Sequence, residues 1–496
     1  MPALSRRHFF ASAAAGLGAV MLLPMPGALA AAGPRRLDVT TRILEVNGKA
    51  AKVYTLVGAD GRPGLAFNSG DRFKVQLKNR LDQPTLIHWH GLTPPNASDG
   101  VPGMTQAPLA ASASYEYDFP LLRSGTNFMH SHLGLQEQQL LAAPLIIRDP
   151  AEAHLDEQEI VILLHDFTFR DPMEILAELQ KGMAHQMGGQ EMAQMQAGQM
   201  QMEMSGMVMP GMDMSQMPGM AQGGSMANMP MDINDIRYDA LLANDRTLDD
   251  PEIVATERGG RLRLRIINAG SASNFMIDLG GLTAQLIAVD GMPVVPVADR
   301  QFALAMGQRL DLRLQLSAEA GAWPICAQLE GDRRRSAIIL ATKGAAINKL
   351  DLLAAQPTGR FDQLTGHLVA ARDPLPQRPA DRRLTLDLTG DMMSYRWGLA
   401  TGASDPRLQV KEGERVEIEM VNRTMMSHPM HLHGHHFQLV AVNGRRINGP
   451  VRDTHLVPTG SSATIAFDAD NPGSWAFHCH NLYHMVAGMM TELRYG

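Results

Sequence analysis

Gly413-Glu414-Arg415-Val416-Glu417-Ile418-Glu419-Met420-Val421-Asn422 is a turn glycine leading into an alternating strand that stops at an asparagine. The design occurs twice more, as Gly70-Asp-Arg72-Phe-Lys-Val-Gln-Leu-Lys-Asn79 and Gly259-Gly-Arg261-Leu-Arg-Leu-Arg-Ile-Ile-Asn268. A period of two sends one row of side chains into a core and the other toward solvent. Three such copies in 496 residues imply repeated domains rather than one core. Short alternating runs with turn signals about every 8–12 residues make each copy an antiparallel-rich sandwich. The chain is therefore read as all-β, with three tandem Greek-key β-sandwich domains at 35–150, 156–345 and 380–496. Boundaries are expected near Asp149–Leu155 and in the Pro-rich stretch around Ala345–Arg383, and Asp171 to Gln180 is the only clear helix candidate.

Counting on from each asparagine extends the repeat into chemistry. Nine and eleven residues past Asn79 stand His88 and His90; past Asn422 stand His431 and His433; past Asn268 stand Ile277 and Leu279. A second landmark reads Gly125-Thr-Asn-Phe-Met-His130-Ser-His132, then Gly321-Ala-Trp-Pro-Ile-Cys326-Ala-Gln328, then Gly473-Ser-Trp-Ala-Phe-His478-Cys479-His480. The outer copies thus carry four His-x-His pairs, and the middle copy carries none. Each pair puts two imidazoles on one strand face about 6–7 Å apart, which suits neighbouring metals better than chelation of one ion. A lone histidine is more often a packing residue than a ligand, but four pairs at repeat-equivalent positions are not chance. His8, His154, His165, His185, His367 and His455 share no such pattern and are read as structural, and nothing requires His435 or His436 as ligands.

The run HCHNLYHMVAGMM over 478–490 adds a second centre. Alternation turns Cys479 away from His478 and His480, and a thiolate with imidazoles and a weak thioether is the ligand set of a blue-copper site. Cys479, His484 and Met489 supply three members, with Met490 an alternative to Met489. His428, in His428-Pro-Met-His431-Leu-His433, is the natural fourth. Cys479 is needed as a thiolate and Cys326 falls at a histidine position of the repeat, so no disulfide between them is expected.

The N-terminus joins Arg6-Arg7, a small apolar run and Ala28-Leu29-Ala30, the pattern of an export leader over 1–30 resembling a twin-arginine signal. The apolar run is too short and too broken to anchor the chain in a bilayer, so a periplasmic protein delivered by the Tat export machinery and free of the membrane after cleavage is expected. Losing Arg6 and Arg7 takes the formal net charge from -7 to -9, which argues against nucleic acid as a partner.

HWHG at 88–91, HSH at 130–132, HPMHLHG at 428–434 and HCHNLYHMVAGM at 478–489 resemble the four copper signatures of the multicopper oxidases, and the likeness runs over essentially the whole mature chain. It implies cupredoxin-like domains and four copper ions. His88 and His431 would bind the type 2 copper, and His90, His130, His132, His433, His478 and His480 the type 3 pair. His428, Cys479, His484 and Met489 would bind type 1. It further implies one-electron oxidation of a substrate at type 1, with Cys479 carrying electrons to four-electron reduction of molecular oxygen to water at the trinuclear cluster. Asp99 matches the family position of a proton-supplying acid; a second acid that some relatives place directly after the last type 1 histidine is here Met485. Asp453 is a candidate acceptor near type 1, since ligand imidazoles need partners that fix their tautomers.

Residues 183–231 hold 16 of the 34 methionines among Gly, Gln, Pro and Ser, with Val208 the only branched aliphatic. Thioethers select Cu(I), so a Met-rich insertion in the second domain points to cuprous ion as substrate in copper tolerance, with Met425 and Met426 placed to pass it toward His428. Small phenolic or amine reductants, as for a laccase, are the rival donors. A Met-rich copper-sequestering protein is the rival from outside enzymes. Copper nitrite reductase shares such domains, but eight paired histidines exceed the needs of its type 2 site.

Overall fold

Each repeat strand ends in asparagine because that side chain builds the turn that follows. The computed structural model describes residues 33–181, 233–361, 369–403, 405 and 407–496; the expected leader over 1–30 and the Met-rich insertion over 183–231 lie outside them. Asn79, Asn268 and Asn422 are all buried. Their side-chain oxygens accept from the N–H two residues on, Leu81, Gly270 and Thr424, at 2.9 Å in all three copies. Their amide groups donate to carbonyls across the loop: Asn79 to Gln83 and Leu109, Asn268 to Ser273 and Leu304, Asn422 to Met426 and Val457. Buried backbone groups must find partners, and here one side chain serves several of them. The repeat glycines Gly70, Gly259 and Gly413 have φ of +89°, +64° and +85°, where a side chain would be strained.

Among the described residues the strands form six sheets, packed as three β-sandwiches of the cupredoxin-like kind. In each sandwich the repeat strand lies between a parallel neighbour and an antiparallel one. Arg72–Asn79 sits between Arg35–Val46 and Ser114–Pro120, Arg261–Asn268 between Gln158–Phe167 and Arg309–Gln315, and Arg415–Asn422 between Arg382–Asp391 and Ser462–Asp468. The facing sheets contain Ile87–His90 paired with Gly125–Ser131, Phe275–Asp278 with Ala322–Leu329, and His428–Leu432 with Ser474–Cys479. Separate apolar cores fill the sandwiches, anchored by Phe73 and Trp89 in the first, Phe275 and Leu312 in the second, and Phe437 and Trp475 in the third. Burying an aliphatic or Phe side chain contributes about 1.5–3 kcal/mol.

The alternation turns Ile87 and Trp89 into the first core and Met430 and Leu432 into the third, which leaves the flanking histidines on the other face. The middle copy departs from the count made from its asparagine. His88 lies opposite His130 and His431 opposite His478, whereas Cys326 lies opposite Asp278 rather than Ile277. Asp278 and Gly280 therefore occupy the positions of the outer histidines, while Ile277 and Leu279 point into the second core. The loop after Asn268 is one residue longer, since its amide reaches the carbonyl five residues on and not four. A shift of one residue exchanges the faces of a strand.

The helix Pro172–Gln180 forms as expected, its first turn capped by Asp171 accepting from Met173 N at 2.8 Å. A second short helix, Leu482–Val486, carries His484; Asn481 caps it by accepting from Tyr483 N at 3.1 Å and His484 N at 3.2 Å. Five residues are too few for a periodic signal in the sequence. Cys326 and Cys479 are both buried and unpaired, and among the described residues no helix is long and apolar enough to cross a membrane.

Candidate metal centres

His428 opens its strand, Cys479 closes the neighbouring strand, and His484 is lifted back toward both by the Asn481-capped helix. Cys479 Sγ lies 3.7 Å from His428 Nδ1 and 3.8 Å from His484 Nδ1, and the two Nδ1 atoms are 3.1 Å apart. The far ring nitrogens are held from behind: His428 Nε2 is 2.7 Å from Thr424 Oγ1 and His484 Nε2 is 2.8 Å from Asp235 Oδ2. The Met489 N–H donates to His484 O and its carbonyl accepts from Cys479 N, which folds this residue back onto the cysteine strand. Met489 is fully buried in the core that contains Cys479, and Met490 is half-buried. The Trp397 ring lies 4.1 Å from the His484 ring and 5.2 Å from that of His428, closing the group from outside.

Burial pushes the Cys479 thiol far above its ordinary range. A neutral thiol is therefore the resting state of this pocket without a cation, and a bound metal ion makes it a thiolate. Burial opposes ionisation of Asp235 as well, but His484 and hydrogen bonds from Tyr395 and Asn481 hold its carboxyl below the ordinary range.

The other eight histidines converge between the first and third domains, all buried. Their nitrogens form overlapping groups: His88, His90 and His431; His90, His130 and His480; His132, His433 and His478. Nδ1–H donors are tied to oxygens: His88 to Asp99 O, His431 to Asp453 O and His478 to Cys479 O, each at 2.9 Å, and His433 to Asp99 Oδ2 at 2.8 Å. His130 Nδ1 lies 3.1 Å from both Ser131 O and Glu137 Oε2. These tautomers leave Nε2 lone pairs aimed at one another, with His88 and His431 Nε2 3.4 Å apart and His433 and His478 2.9 Å, and His132 Nε2 lies 3.3 Å from His478 Nε2. Lone pairs this close repel unless a cation lies among them. Burial first, and neighbouring imidazoles second, hold His90, His431 and His433 well below their ordinary pKa, so these rings are neutral and free to offer lone pairs. Clustered imidazoles here, and imidazoles with a thiol and a thioether at the first group, fit copper.

His-x-His-Gly ends in glycine for a steric reason. Gly91 and Gly434 have φ of +95° and +69°; a Cβ on Gly434 would strike the buried Trp475 ring, and one on Gly91 would come within 2.5 Å of Arg309 Nη2. Eleven of the twelve residues expected as ligands, together with Asp99, gather in these two places, and Met489 is buried in the core that contains Cys479. Asp453, expected beside the cysteine group, lies instead at the eight-imidazole group: its Oδ1 is 3.0 Å from His90 Nε2. Only the backbone neighbours of His431 mark that location, because Thr454 pairs with His431 across the sheet. A second acid beside the imidazoles, sought after His484, comes from the first domain as Glu137, on the 3-10 turn Gln136–Gln139. Asp235 and Glu137 have no motif that announces them. His435 is fixed by Tyr495 OH at 2.7 Å, and His165 and His455 are buried apart from both groups.

Models of the multicopper oxidase family match residues 38–152, 158–348 and 377–496. The multicopper oxidase MmcO of Mycobacterium tuberculosis is 30% identical over 91% of this chain and 85% of its own length. Copper resistance protein A of Escherichia coli is 26% identical over 92% of each chain, and laccase-2 of Botryotinia fuckeliana 26% over 92% and 81%. Among solved structures, Fet3p, described as a multicopper oxidase that functions in iron import, superposes with a TM-score of 0.71 at 19% identity over 93% of this chain and 90% of its own.

Proposed function

The chain belongs to the multicopper oxidase family and is an oxidoreductase that uses oxygen, and on that premise we propose that it is an exported cuprous oxidase of copper tolerance. The observation that carries this reading is the meeting of eight buried imidazoles, in three groups, directly behind the cysteine that forms the other centre. His428, Cys479, His484 and Met489 would hold type 1 copper, His88 and His431 type 2, and His90, His130, His132, His433, His478 and His480 the type 3 pair. When bound, copper supplies the one-electron redox chemistry and the reduction of dioxygen to water.

The protein's residues set the conditions for that chemistry. Cys479 lies between His478 and His480 in the chain, so one peptide unit on either side joins the thiol to both imidazoles. Asp99 holds His433 with Oδ2 and His88 with its carbonyl, while Oδ1, 3.3 Å from His88 Nδ1, makes no directed hydrogen bond and so is placed to hand a proton to reduced oxygen. Glu137 orients His130 and keeps Oε1 without a partner.

The choice of cuprous ion rests on the surroundings of type 1. His428 and His484 have no exposed surface, so a bulky phenol finds no imidazole edge to touch. Beside Asn481 a recess is lined by Met306, Met425 and Met426, soft thioethers suited to Cu(I). Residues 183–231 hold 16 further methionines in the sequence. Steady-state oxygen uptake by copper-loaded protein, with Cu(I) against a phenol, tests the reading on the intact chain and on a variant lacking 183–231. Cu(I) oxidation should fall in the deletion while phenol oxidation continues. An unchanged Cu(I) rate would favour a laccase, and uptake that stops once added copper is bound would mark a sequestering protein.

A further inference from the structure

His90 is turned the opposite way from its neighbours. In His88, His431, His433 and His478 the Nδ1 atom is tied to a protein oxygen, but in His90 it is Nε2 that is held, by Asp453 Oδ1 at 3.0 Å and Thr454 Oγ1 at 3.1 Å. His90 Nδ1 is buried without a partner. Asp453 is held in turn by Arg309, whose Nη1 and Nη2 donate to its two oxygens at 2.7 and 2.6 Å. Arg309 is fully buried and opens the strand Arg309–Gln315 of the middle domain, the domain without imidazole ligands. Its Nε donates to Thr126 O of the first domain at 3.0 Å, and its own N–H donates to Asp290 Oδ1 at 2.9 Å. Asp290 reaches the third domain through Arg452 Nε at 2.9 Å. The preceding turn presses on the cluster too: Gln308 Nε2 donates to Thr454 O, and a Cβ on Gly307, at φ +76°, would lie 2.7 Å from the His480 ring.

We propose that Arg309 is a positioning residue for the trinuclear centre, fixing through Asp453 the ring of His90 that offers Nδ1 to metal. A paired, doubly bonded carboxylate has one orientation, and the tautomer of His90 follows from it. The middle domain thus completes a centre to which it contributes no ligand. The proposal rests on the reading of the eight histidines as copper ligands.

The test follows copper loss from full-length, copper-loaded protein during stepwise chelation. The blue thiolate absorption reports on type 1, and electron paramagnetic resonance with copper analysis reports on the cluster. Arg309→Met with Asp453→Asn removes the ion pair without stranding a buried charge, so the fold survives. Cluster copper should be lost at about 10–100-fold weaker chelation, as for other residues that support metal ligands, with type 1 copper retained as in the wild type. Gly307→Ala, which keeps the ion pair but crowds His480, should lose cluster copper in the same selective way. Cluster retention equal to wild type in the double variant overturns the proposal. So does equal loss from both centres, which would make Arg309 a strut of the whole fold. Failure of the wild-type protein to hold cluster copper at all would instead overturn the assignment of the eight ligands.

Discussion

The third domain and the middle domain begin alike and end with opposite faces. Asn422 and Asn268 build the same kind of turn, yet the loop after Asn268 is one residue longer and the next strand arrives with its faces exchanged. In the third domain the face turned toward the first domain carries His431 and His433; in the middle domain the corresponding places fall to Asp278 and Gly280. Strand parity, set by loop length, thus decides which side chains meet the neighbouring domain. The middle domain meets the same centre from another side, with the turn at Gly307 and the side chain of Arg309.

The largest expected effect separates the two cysteines. Cys479→Ser should abolish blue absorption and oxidase turnover, whereas Cys326→Ser, at a site packed against Leu248 and Ala337, should leave both intact. Loss of colour in the second variant would break the comparison.

Acid should act on both domains regardless of metal. Burial pushes His165 of the middle domain and His435 of the third down to about 4, and His455 to about 3. The folded chain keeps these rings neutral while the unfolded chain protonates near pH 6.5. Stability of the copper-free protein is therefore whole above about pH 6.5 and should fall by several kcal/mol as pH drops toward 4. Denaturant melts across that range check this, and a flat profile would contradict it.

Asn268→Ala and Asn422→Ala should each cost about 1–3 kcal/mol, because each strands buried carbonyls, but only Asn422→Ala should also weaken copper binding. Melts paired with copper analysis read both quantities. Equal copper loss in the two variants would erase the distinction between the domains. The smallest effect is expected from Asp235→Asn, which keeps an acceptor behind His484 but removes its charge. Type 1 copper should bind about tenfold more weakly, as titration against a chelator would record; unchanged binding would show that the hydrogen bond suffices.

The repeat and the four His-x-His pairs were legible because each lies within one or two strands, where alternation alone assigns the faces, and the run ending in Met489 was legible by its residue types and spacing, although His484 sits on a short helix. The partners of those ligands were not. Asp235 meets His484, and Glu137 meets His130, only after folding, and Arg309 reaches Asp453 from another domain. Asp453 was picked out but assigned to the wrong centre, since its distance along the chain from His90 hides their contact. The offset of Ile277 escaped counting because one extra loop residue leaves no mark in a strand pattern.

Copper per chain, measured on fully loaded wild-type protein together with its blue absorption, tests the joined centres most directly. Four ions, one of them blue and lost in Cys479→Ser, is the result these ligand sets require. A single ion per chain, or four without a blue thiolate band, would contradict them.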